Sequence, residues 1–180
     1  MFFYLWLADT ISLYEYHQFI STPSKDQAAQ KLKYTLMRND LAKRHRLNPT
    51  ITNSENLMVI CQKLGEYDCM LDAIKWLKTH RAYPPIDASL LVEAYYHLEN
   101  EKMGPMLENA LANCQPDAKE YLKCMSFKAR ALYNSKRYQE SEEVWGRMIH
   151  SAEKDDKRLK IWRQSQQAAK NAQKADIAGN

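Results

Sequence analysis

The 180 residues suit a single domain or one compact array, and with 45% hydrophobic and 27% charged side chains the chain can bury a core. A formal net charge of +4 permits contact with an acidic surface but is too mild to demand a nucleic-acid partner. Only four glycines and six prolines interrupt the backbone, which favours long helices over a sheet and leaves almost no scope for a glycine-rich phosphate loop.

The chain opens with MFFYLWLADTISLYEYHQFI. Its unbroken apolar run ends at Asp9, far short of the roughly 20 residues a spanning helix needs, and no basic residue precedes the run as in a secretory signal. The expectation is an aromatic helix over residues 2–19, packed on its neighbours or docking a partner through Phe2, Phe3, Leu5 and Trp6. Ser21, Thr22 and Pro23 stop it, and Ser24 or Asp26 can cap the next helix. That helix, over residues 26–44, carries Ala28, Leu32, Leu36, Met37 and Leu41 as one apolar face. Lys31, Lys33, Arg38, Lys43, Arg44 and Arg46 fill its other face and its end, a patch that suits an anionic partner or complements the negative end of the helix.

Residues 1–47 therefore form an N-terminal region, and from Asn48 a repeat emerges. Pro49, Pro84 and Pro116 punctuate the chain at intervals of 35 and 32 residues, with two apolar segments and a turn between each pair. The first unit is predicted as helices over 54–64 and 66–79 about a turn at Gly65, and the second as helices over 87–99 and 101–113. The third contains KCMSFKARALYNSKRYQESEEVWGRMIH, where Asn134 and Ser135 break two apolar stripes. Aligned by stripes, Met58, Leu91 and Ala129 correspond, then Cys61, Ala94 and Leu132. On the second helices Met70, Met103 and Ser141 correspond, followed by Ile74, Leu107 and Trp145, and by Leu77, Ala110 and Met148. This register places Trp145 in the core. Beyond His150, residues 151–180 read as a capping helix around Leu159, Ile161 and Trp162 that fades into a frayed tail.

KLGEYDCMLDAIKWL at 63–77 and ALYNSKRYQESEEVW at 131–145 share a helix end, a Gly or Lys, a Tyr and an acidic helix start. In this the region 48–150 resembles the tetratricopeptide-like superfamily of helical repeats, which includes the pentatricopeptide proteins. The resemblance implies an all-α, right-handed stack of antiparallel helical hairpins in three units. It also implies a concave surface, lined by first helices, that takes a peptide, a helix or another subunit. Helical phase marks Asn56, Gln62, Glu93, Tyr96, His97, Lys128 and Asn134 as candidate groove positions.

Catalytic chemistry has no foothold: there is no HExxH, no serine elbow, and the five histidines are scattered. His97, beside Tyr95 and Tyr96, reads as a surface or groove residue rather than a ligand. Cys61, Cys69, Cys114 and Cys124 lack CxxC spacing, so reduced core thiols are expected rather than disulfides or zinc, and with them an intracellular compartment, the cytoplasm ahead of mitochondrion or nucleus. The sequence thus points to a non-enzymatic scaffold or adaptor, a subunit or assembly factor of a larger complex, without cofactor, metal, small-molecule substrate or membrane span. The alternative is RNA binding in the pentatricopeptide manner, supported by the basic helix and the RAYPPID junction. Glu93, Glu99, Glu101 and Glu108, which make the middle unit acidic, stand against it.

Overall fold

The computed structural model describes residues 27–80, 87–116, 120–152 and 156–179. The expected aromatic helix with Phe2, Phe3, Leu5 and Trp6, its stop at 21–23, and most of the RAYPPID junction lie outside the described residues. Within them every element is a helix: α1 (Gln27–Leu47), α2 (Ile51–Leu64), α3 (Tyr67–His80), α4 (Ala88–Leu98), α5 (Pro105–Ala112), α6 (Tyr121–Asn134), α7 (Tyr138–Ser151) and α8 (Leu159–Gly179). Packing runs between successive helices and also between α4 and α6. Among the described residues no helix is long and apolar enough to cross a membrane.

Local chemistry sets the helix ends. Thr50 accepts the amide of Asn53 at 3.1 Å to cap α2, and Asp87 accepts that of Ser89 at 2.6 Å to cap α4. At their far ends α2, α4 and α6 close in the same way, on a residue in the left-handed region: Gly65 (φ 72°), Asn100 (φ 54°) and Lys136 (φ 61°). The amide that follows each one reaches back to a carbonyl five residues earlier: Glu66 to Cys61 at 2.9 Å, Glu101 to Tyr96 at 2.7 Å, Arg137 to Leu132 at 2.9 Å. Residues 65, 100 and 136 stand at intervals of 35 and 36. The caps therefore match Cys61 with Tyr96 and Leu132, and correct the stripe alignment, which put Ala94 in the middle. The slip came from α4, which has 11 residues against 14 in α2 and α6. Met103, aligned to a second helix, precedes α5 and donates its amide to Ser135 Oγ at 2.8 Å.

Three apolar clusters form the core. The first joins α1 to α4 through Tyr34, Leu41, Leu57, Ile60, Met70, Ile74 and Ala94. Val92 and Tyr96 of α4 enter the second with Leu107, Leu111 and Phe127, so α4 serves both. Leu132, Val144, Trp145, Met148, Leu159 and Trp162 make the third. Trp145 is 3% exposed, as its register requires, and Ile74 and Leu107 are fully buried. Ser141 lies at the contact of α6 with α7, buried, and donates to the Ala129 carbonyl at 2.8 Å.

Two expectations are corrected here. The inward face of α1 is Tyr34, Met37 and Leu41, and Leu32 and Leu36 are each 62% exposed. At 100° per residue they lie on the opposite side of the helix, so α1 carries two apolar stripes and only one meets the core. The C-terminal helix runs on through residues 170–179 instead of fraying, in keeping with its Ala, Gln and Lys content.

Candidate partner interface

Gln62 lies in the last turn of α2, Glu93 in the middle of α4 and Lys123 in the first turn of α6. One oxygen of Glu93, Oε2, accepts Gln62 Nε2 at 2.8 Å and lies 2.9 Å from Lys123 Nζ. The Glu93 side chain is only 13% exposed, so its charge is held by two partners in a setting that water screens weakly. This contact links α2, α4 and α6 through one carboxylate. Lys123 was missed as a groove residue, although it follows Glu93 at nearly the spacing by which Glu93 follows Gln62.

A second group builds on the end of α4. The rings of Tyr67 and His97 stack with centroids 4.1 Å apart. His97 Nδ1 lies 3.2 Å from Glu101 Oε1, the Tyr96 hydroxyl donates to Glu101 Oε2 at 3.4 Å, and Asn134 Nδ2 donates to the Glu101 carbonyl at 3.0 Å. Burial, with Glu101 adding to it, raises the pKa of Tyr96; burial followed by Glu93 and Glu101 raises that of Tyr67. Both phenols therefore keep their protons as donors over the neutral range.

The structure thus brings together Gln62, Glu93, Tyr96, His97 and Asn134 of the predicted groove set. Tyr96 is 4% exposed and packs against Phe127 in the core, so only its hydroxyl edge serves the surface. Asn56 is half-buried on α2, six residues before Gln62. Lys128, on α6, adds to the lowering of the Glu140 pKa at the start of α7, an effect led by the Arg137 hydrogen bond.

The basic patch on α1 is divided. Arg38 Nη2 donates to Glu66 Oε1 at 3.0 Å, and its buried Nε lies 2.9 Å from Oε2 without the alignment of a hydrogen bond. Arg44 pairs with Asp40 at 2.8 Å, while Lys31, Lys43 and Arg46 are exposed and Lys33 is half-buried. Seven residues after Arg38, nearer the end of α1, His45 Nδ1 lies 2.9 Å from Ser54 Oγ, and the His45 ring stands edge-on to Trp76 at 5.6 Å. Ser54 donates its proton to the Thr50 carbonyl at 2.7 Å, so His45 Nδ1 carries the hydrogen that joins the pair. Burial lowers the His45 pKa, with Asp72 opposing it.

The cysteines depart from the expected reduced thiols. Cys61 is joined to Cys69 across the α2–α3 turn, with Cα atoms 5.8 Å apart, and Cys114 to Cys124 across the α5–α6 connection, with Cα atoms 6.5 Å apart. Positions eight and ten residues apart fall near consecutive helix ends, which the turns bring together. The pairing leaves the expectation of an intracellular compartment without support from the cysteines. Comparison with protein-family models, with curated proteins and with solved structures finds no match for this chain.

Proposed function

We propose that the chain is a non-enzymatic interaction scaffold, a subunit or assembly factor of a larger complex, built as a right-handed stack of antiparallel hairpins in the tetratricopeptide-like manner. Three caps of one type at nearly equal intervals support the repeat. The observation that carries the binding face is the Gln62–Glu93–Lys123 contact, which ties the first helix of each unit to the next and presents their polar sides as one surface. A partner segment laid across that surface would meet the Glu101 cluster at one border.

The test is a pull-down from cell extract with the full chain as bait, with and without nuclease, repeated with Glu93→Lys and Lys123→Glu variants. Protein retained after nuclease by the parent chain, and lost by both helical variants, is the expected result. Retention that disappears with nuclease and follows charge reversal at Lys31, Lys43 and Arg46 would instead establish RNA as the partner.

A further inference from the structure

We propose that, once its disulfide is reduced, the α2–α3 turn is a binding site for a thiophilic divalent metal ion, formed by Cys61, Glu66 and Cys69. One ligand atom from each of these side chains lies within 4.8 Å of the others, and no second group of three such residues converges among the described residues. A tetrahedral zinc site needs its ligand atoms about 3.5–3.8 Å apart, from bond lengths of about 2.0–2.3 Å. In the disulfide the Cys61 and Cys69 sulfurs are bonded to each other, so after reduction rotation about their χ1 bonds has to move them apart to this spacing.

The convergence follows from the backbone. The left-handed conformation of Gly65 turns the chain so that the Glu66 amide bonds the Cys61 carbonyl at 2.9 Å, which fixes the first two residues relative to each other. Glu66 then opens α3, its carbonyl accepting the Met70 amide at 3.0 Å, and Cys69 comes three residues later on the same helical face. All three ligands thus stand on one capped turn between two packed helices.

Charge supports the assignment. Two thiolates and one carboxylate carry three negative charges, and a divalent ion with the Arg38 guanidinium supplies three positive ones. Arg38 already holds Glu66 at 3.0 and 2.9 Å, and each carboxylate oxygen keeps a further lone pair for a metal. In this arrangement Arg38 is a positioning residue that orients the ligating carboxylate. Cys61 is fully buried while Cys69 and Glu66 are half-buried, so the ion would be reached from one side, with water at the fourth position.

The chemistry balances with a trialkylphosphine as reductant. The phosphine attacks one sulfur, the S–S bond breaks, water supplies the oxygen of the phosphine oxide, and two thiols form. Metal binding then displaces one proton from each thiol.

Cobalt(II) is the probe, titrated into the full-length chain reduced by phosphine without air. The expected result is a thiolate-to-cobalt charge-transfer band that saturates at one equivalent, is removed by zinc(II), and is absent from the oxidised chain. The Cys114→Ser/Cys124→Ser variant should keep the band, Cys61→Ser/Cys69→Ser should lose it, and Glu66→Gln should bind at least about tenfold more weakly. No saturable band in the reduced parent, a band that follows Cys114 and Cys124, or unchanged affinity in Glu66→Gln would each overturn the proposal. If Cys61→Ser/Cys69→Ser loses its helical circular dichroism, the other two variants still decide it.

Discussion

The carboxylate of Glu99 occupies the space in which a side chain on Gly104 would begin: a Cβ built on Gly104 lies 2.5–2.6 Å from the Glu99 carboxylate atoms. Glu99 is there because it accepts the amides of Met106 at 3.1 Å and Leu107 at 3.0 Å, and so caps α5 from the end of α4. The N-cap residue of α5 is Gly104 itself, which has no side chain with which to do so.

Gly104→Ala should therefore push the carboxylate off its two amides and lower stability by about 0.5–2 kcal/mol, the worth of a helix cap. Glu99→Ala removes the same cap directly. Urea denaturation of both single variants and the double variant checks the link: the double should be little worse than either single. Additive losses would mean that the two residues act separately.

His45 makes stability depend on pH. Burial lowers its folded-state pKa, so below the ordinary value of about 6.5 the unfolded chain binds more protons than the folded one. Stability should be full above that value and fall as pH drops from about 7 towards 5. His45→Gln should flatten this part of the profile in urea midpoints measured across the range. An unchanged slope in the variant would assign the dependence to other groups.

Each disulfide closes a short loop, of sequence separation 8 and 10. Chain entropy gives each a worth of about 2–3 kcal/mol. A phosphine reductant in metal-free buffer should lower the thermal midpoint of the parent chain by an amount that the two Cys→Ser pairs divide between them. Reduction that leaves the midpoint in place would show that neither bond constrains the unfolded chain.

Trp145 is the anchor of the third cluster, and Trp145→Ala should cost about 3–5 kcal/mol. Ile161, 57% exposed on α8, provides the contrast: Ile161→Ala should stay within about 0.5 kcal/mol of the parent. Chemical denaturation of the two variants side by side makes the comparison. Equal losses would contradict the burial of Trp145.

How much the sequence disclosed depended on how loudly each position spoke. The helical pairs from α2 to α7 were legible because they show apolar stripes, with a turn at Gly65 in the first pair and a break at Asn134 and Ser135 in the third. Stripes alone mislaid the register of α4, which the caps restore. Leu32 and Leu36 misled because an apolar pair four residues apart reads as a core face whichever side of the helix it occupies. The cysteine pairs were missed for a different reason. The turn at Gly65 between Cys61 and Cys69 was legible, but the lack of CxxC spacing was read as reduced core thiols, whereas a turn brings positions eight or ten residues apart within disulfide reach. In the interface, helical phase found Gln62 and Glu93 but not Lys123, whose long stem carries its charge back to α4.

Packing that runs mainly between sequence neighbours has a consequence for how the molecule is made. Among the described residues the helices pack on near neighbours in sequence, so loop-closure entropy is small for these steps and folding should be fast. Each helix can settle on the one before it while the ribosome is still adding the next. Damage at one end should spread inward pair by pair: loosening α8 would free α7 first, while α2 and α3 remain paired.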